Sequence, residues 1–123
     1  MPYEYHLEPK DSNNPFPQEL IEAMHKYMER IPNYVWKDGT YTLFRTVNDR
    51  DRRIPKLLTE SKKNDYLDPL IHIKPHDIML SAVADPETDQ YLYDFVLWCQ
   101  EHWPCQLYYD SEPVSPEDLT AEP

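Results

Sequence analysis

The sequence predicts an α+β domain, one mainly antiparallel sheet with two amphipathic helices on one of its faces. Three observations carry this. Short segments alternate apolar and polar residues with a period of two, two longer segments repeat apolar residues at helical spacing, and the order of the two kinds is β-α-β-β, a long connection, then β-β-α-β. The two halves, each with a β-α step, suggest a ferredoxin-like plan with additions. A chain of 123 residues supports one such domain. Its expected extent is residues 1–109, with a basic connection at 48–69 and an acidic, proline-containing tail at 110–123.

Each element has a local reason. In Tyr3-Glu4-Tyr5-His6-Leu7-Glu8 the apolar residues Tyr3, Tyr5 and Leu7 share a face, which reads as a strand. Asp11-Ser12-Asn13-Asn14-Pro15 is a turn cluster. A helix starts near Pro17, because Leu20, Ile21, Met24, Tyr27, Met28 and Ile31 recur on one stripe until Pro32 ends it. Tyr34-Val35-Trp36 and Tyr41-Thr42-Leu43-Phe44 flank Asp38-Gly39, the strongest hairpin signal in the chain. Leu70-Ile71-His72-Ile73 and Ile78-Met79-Leu80-Ser81-Ala82-Val83 are further strands. Asp85 then suits a helix N-cap and Pro86 the first helical position, and Glu87 and Asp89 complement the dipole. The expected buried stripe of that helix is Tyr91, Leu92, Phe95, Val96, Cys99, His102 and Trp103, with Pro104 as its stop and Cys105–Tyr109 as a last strand.

Charge is distributed more sharply than its total of −11 suggests. Residues 1–74 hold all twelve Lys and Arg against twelve Asp and Glu, whereas residues 75–123 hold eleven acids and no base. A surface of one negative sign repels nucleic acid and anionic lipid and draws in basic partners. The basic run Arg50-Asp51-Arg52-Arg53 with Lys62-Lys63 is interleaved with Asp49, Asp51, Glu60 and Asp65, so it forms no continuous positive field for phosphate. With one glycine against thirteen prolines the sequence excludes a glycine-rich phosphate loop or dinucleotide fingerprint. No apolar run is long enough to span a bilayer. The start, Met1-Pro2-Tyr3-Glu4-Tyr5, has no charged-then-apolar signal pattern, so the expected location is cytoplasmic.

Candidate chemistry is thin. Cys99, His102 and Cys105 stand at three-residue intervals, a partial zinc pattern that lacks a second pair, and all three lie on positions expected to pack in the core. His72, His76 and Asp77 bring two imidazoles and a carboxylate to a turn between strands, the alternative reading being a small enzyme or metal-dependent regulator. There is no nucleophile elbow, no H-E-x-x-H and no carboxylate dyad. The expectation is therefore a non-enzymatic protein with no cofactor. On the second helix Tyr93 and Leu97 fall outside the buried stripe beside Asp89, Asp94 and Glu101, the composition of an interface spot with a polar rim.

In size, acidity, aromatic richness and lack of a catalytic motif the chain resembles the small immunity proteins that bacteria pair with secreted toxins. That resemblance implies a protein that occludes the active site of a cognate basic toxin through an acidic surface. Carried onto this sequence, it makes Asp89, Tyr93, Asp94, Leu97 and Glu101, with Asp110, Glu112, Glu117 and Asp118, the contact set. Apart from that resemblance, the residues themselves leave open a monomer or a weak homodimer through the Tyr93 and Leu97 spot.

Overall fold

The structure, a computed structural model, describes residues 3–37, 39–44, 46–48, 50, 51, 70–83 and 85–120. The elements in chain order are β1 (Tyr3–Pro9), α1 (Gln18–Glu29), β2 (Tyr34–Lys37), β3 (Thr40–Leu43), β4 (Leu70–His72), β5 (Ile78–Ala82), α2 (Pro86–His102), β6 (Cys105–Tyr109), β7 (Glu112–Val114) and a 3-10 turn over Pro116–Leu119. Among the described residues seven strands form one sheet in the order β2-β3-β4-β5-β1-β6-β7, and every neighbouring pair is antiparallel. The α+β class is as the sequence predicts. A ferredoxin-like plan is not confirmed: α1 carries the chain from central β1 to the far edge at β2, and β3 and β4 bring it back inward.

Register explains why one face of the sheet is apolar. Tyr5 lies opposite Leu80 on one side and Tyr109 on the other, and Leu7 lies opposite Ile78 and Leu107. Ile71 continues the layer opposite Leu80, and Tyr41 continues it opposite Ile71. This layer packs with Ile21, Met24 and Met28 of α1 and with Leu92, Phe95, Val96 and Cys99 of α2 in one core. Tyr27 joins the helices, its ring 5.7 Å from Phe95 and 5.3 Å from Trp98. The intervening residues of β1, Glu4, His6 and Glu8, point to the opposite face, as strand alternation requires.

The helix ends follow their punctuation. Pro17 offers α1 no side-chain cap, and the amides of Leu20 and Ile21 turn back to its carbonyl at 2.9 and 3.0 Å. Asp85 caps α2 by accepting from the Glu87 amide at 3.2 Å, and Pro86 takes the first turn where its missing N–H costs nothing. Gly39 has φ of +80°, the conformation that the tight β2–β3 turn requires of it. His102, expected on the buried stripe, is exposed instead. Its Nδ1–H donates to the Trp98 carbonyl at 2.7 Å and its ring stacks on Trp98 at 4.1 Å, so the end of α2 turns it back along the helix surface. Of the basic connection expected at 48–69, residues 49 and 52–69 lie outside the described residues. Arg50 pairs with Asp51 at 2.9 Å and donates to the Pro32 carbonyl at 2.6 Å.

The largest departure from expectation is at the C-terminal end. Residues 110–120 are no tail: β7 pairs with β6, and the 3-10 turn packs on α2 and buries Leu119 in the core. The hydroxyl of Tyr5 donates to the Asp118 carbonyl at 3.2 Å, tying this turn to the middle of the sheet. The β6–β7 hairpin turns through Asp110 and Ser111 at φ of 52° and 66°, the paired left-handed geometry that matches strand twist. Serine pays for that conformation with a crowded Cβ, a cost on the order of 1 kcal/mol. Ser111→Gly should therefore raise stability by about 0.5–1 kcal/mol, read as a higher midpoint in urea with an unchanged slope.

Candidate functional site

The acidic residues separate into those the fold consumes and those it leaves in water. Asp89 belongs to the first group. It is 1% exposed, and its carboxylate accepts from the amides of Val83 at 3.2 Å and Asp85 at 3.0 Å. It shapes the connection from β5 into α2 and presents nothing to a partner, which removes it from the expected contact set. An acid near a helix N-terminus reads as a surface dipole partner; here the same carboxylate closes the loop ahead of the helix.

Asp94 and Glu101 are exposed on the wet side of α2. Gln90 donates to Asp94 at 2.9 Å, one turn away. Asp110, Glu112, Glu117 and Asp118 are exposed on the β6–β7 turn, on β7 and on the 3-10 turn. The Ser115 hydroxyl donates to the Glu117 carboxylate and, with a backbone hydrogen bond, holds it below the usual carboxylate range, so Glu117 stays charged. Packing of the 3-10 turn on α2 brings Glu117 and Asp118 beside that helix. Among the described residues no Lys, Arg or His lies within 4.0 Å of any of these six carboxylates.

Tyr93 and Leu97 are both half-buried, and Tyr93 packs against the core. They are therefore not free-standing apolar anchors, and the wet side of α2 is dominated by its acids. The Cys99, His102 and Cys105 trio is not assembled. Both thiols are buried, whereas His102 is exposed and held to Trp98. Burial pushes the Cys99 thiol well up, and burial pushes Cys105 to about 11 against the pull of Lys10, so both remain thiols that pack rather than ligate. No group of three or more His, Cys, Asp or Glu among the described residues is placed to hold a metal ion.

The His72, His76 and Asp77 cluster also resolves differently. Asp77 turns to His6, which sequence reasoning did not select. The Nδ1–H of His6 faces both Asp77 oxygens at 3.0 Å, and its Nε2–H donates to Glu4 at 3.2 Å. Partial burial of the ring opposes its charge, but the Asp77 and Glu4 carboxylates outweigh it and raise the pKa above 6.5. With a carboxylate beside each nitrogen the ring is engaged on both sides, and it serves as a strap between β1 and the turn before β5. His72 lies half-buried beside Gly39 on the polar face, and His76 is exposed. The signal for His6 was present in its place between Glu4 and Glu8 on the polar side of a strand; its partner, 71 residues away, was not.

In comparison with known proteins, the chain matches no family model, no curated protein and no solved structure.

Two outcomes follow for these carboxylates. Asp89→Ala should cost about 1.5–3 kcal/mol in chemical denaturation, because it strands amides that now donate to a charged acceptor. For His6, a folded pKa above the unfolded one means that its contribution is complete below about pH 6.5 and is lost as pH rises through the folded value. The denaturation midpoint of the wild type should thus exceed that of His6→Gln at about pH 5.5, and the gap should narrow as pH rises through the folded value.

Proposed function

We propose that this protein is a non-enzymatic cytoplasmic binder that docks its acidic C-terminal surface on a basic protein, in the manner of a small bacterial immunity protein occluding a toxin. The observation that carries this reading is the set of unneutralised carboxylates: Asp94, Glu101, Asp110, Glu112, Glu117 and Asp118 are exposed and lack a cationic partner among the described residues. Crowding like charges on a folded surface works against stability. Acids that cap or bridge repay that cost within the chain, as Asp85, Asp89 and Asp77 do. The exposed six do not, and a positively charged partner is the physical setting in which their arrangement becomes favourable. Occlusion would then follow from competition, because Lys and Arg that hold an anionic substrate are the groups such a surface attracts.

Leu97 lies at the rim of this face as a secondary contact, and Tyr93 supports it from the core side. Affinity capture with the wild-type chain, repeated with Asp94, Glu101, Glu112 and Glu117 all changed to Lys, tests the reading. A basic protein held by the first bait and lost by the second is expected, with folded stability of the variant within about 1 kcal/mol of the wild type. Association should also slow steeply as salt rises toward about 0.15 M. A partner held equally by both baits, or an association indifferent to salt, rejects it.

A further inference from the structure

The two edges of the sheet are built unlike one another. β7 is three residues long, Glu112-Pro113-Val114, and carries an acid and a proline, both devices that blunt an edge against pairing. β2, Tyr34-Val35-Trp36-Lys37, has no proline, and its Trp36 is 49% exposed, the most exposed large apolar side chain among the described residues. Trp36 is not a loose side chain. Its ring stands edge-on to Tyr41 at 4.7 Å and to His25 at 5.8 Å, and the Tyr41 hydroxyl and His25 Nδ1 share a hydrogen bond of 2.7 Å.

The backbone of β2 has a defined outward pattern. The Phe44 amide donates to the Asn33 carbonyl at 3.0 Å, so Asn33 and Phe44 form a hydrogen-bonded pair. Alternation along an antiparallel ladder then makes Tyr34 with Leu43 and Trp36 with Tyr41 the non-hydrogen-bonded pairs. The N–H and C=O of Tyr34 and Trp36 therefore point away from β3, to an edge where no described strand pairs with them.

We infer that β2 is a self-association edge whose occupant is the β2 of a second copy of this chain. A two-fold axis through Val35 sets Tyr34 of one copy opposite Trp36 of the other, and the reverse. Each of these pairs exchanges two backbone hydrogen bonds, and each brings two aromatic rings together on the helix-bearing face. Any extended peptide offers the backbone groups, but a second copy also offers its own Tyr34 and Trp36 at the two hydrogen-bonded positions, so the aromatic contact is made twice. Charge favours this edge as well. β2 belongs to the first 74 residues, where twelve bases balance twelve acids, while the acidic β7 lies six strand spacings away, roughly 29 Å. Pairing through β2 keeps the two negative ends of the dimer at its extremes. With a short strand from each copy the interface is small, so association is of the weak, concentration-dependent kind.

Sedimentation equilibrium from about 10 µM to about 1 mM tests this, and a monomer–dimer equilibrium is expected within that range. Trp36→Lys should weaken dimerisation by about tenfold or more, whereas Leu97→Ala, on the other side of the molecule's charge distribution, should leave it unchanged. Amide exchange of the wild type gives a reading independent of any variant. The Tyr34 and Trp36 amides should gain protection at the high concentration, while the Val35 amide, already bonded to β3, should not. A chain that stays monomeric throughout, a dimer that survives Trp36→Lys, or one lost in Leu97→Ala overturns the inference.

Discussion

β1 is paired along both sides, with β5 and with β6, and its two faces set the rest of the structure. Tyr5 and Leu7 close the core under the helices, and the Tyr5 hydroxyl reaches past that core to the Asp118 carbonyl, 113 residues along the chain. Burial pushes this phenol to about 12, so it remains a donor throughout the neutral range. The bond matters because the segment it holds is acidic. Repulsion between exposed Glu117 and Asp118 and the acids of α2 works against docking of the last turn. Burying Leu119 supplies about 1.5–3 kcal/mol and the Tyr5 bond about 0.5–1.5 kcal/mol, against surface repulsions of a few tenths each. An apolar anchor and one buried donor thus keep in place a set of exposed acids that have no cationic partner among the described residues.

The parts of this fold legible in the sequence are those that local chemistry specifies. Alternation at Tyr3, Tyr5 and Leu7, the lone Gly39 and the Asp85-Pro86 pair each determine a conformation within a few residues. The parts missed are those decided by a distant partner or by turn chemistry without its usual residue. The β6–β7 turn uses Asp110 and Ser111 at positive φ where a glycine is the common choice, so β7 reads as a tail. Asp89 carries the composition of a surface acid and is recognised as a loop clip only when Val83 and Asp85 offer it their amides. His6 pairs with Asp77 because β1 and β5 are neighbours, a fact of topology that no window of the sequence contains.

The candidate site was legible in the same partial way. Composition located the negative charge correctly in the last 49 residues, and Asp94, Glu101, Asp110, Glu112, Glu117 and Asp118 are exposed as expected. Helical-wheel reasoning placed Tyr93 too far from the core, because it counted only angle along α2 and not the depth at which the helix sits on the sheet.

Charge and topology also interact in a way that neither shows alone. The boundary near residue 74 divides the chain by charge, but not the molecule, since base-free β5 and β6 flank β1 from the neutral half. Pairing interleaves the two halves in the middle of the sheet, where side chains are apolar or locally matched, as His6 is with Asp77 and Glu4. The acids left over are carried outward to α2 and to the β7 edge, whereas the opposite edge strand, β2, carries no acid. An uneven chain thereby becomes a polar molecule. One end has an edge that proline and repulsion keep from pairing, and the other has an edge on which, among the described residues, aromatic surface and unpaired amides remain.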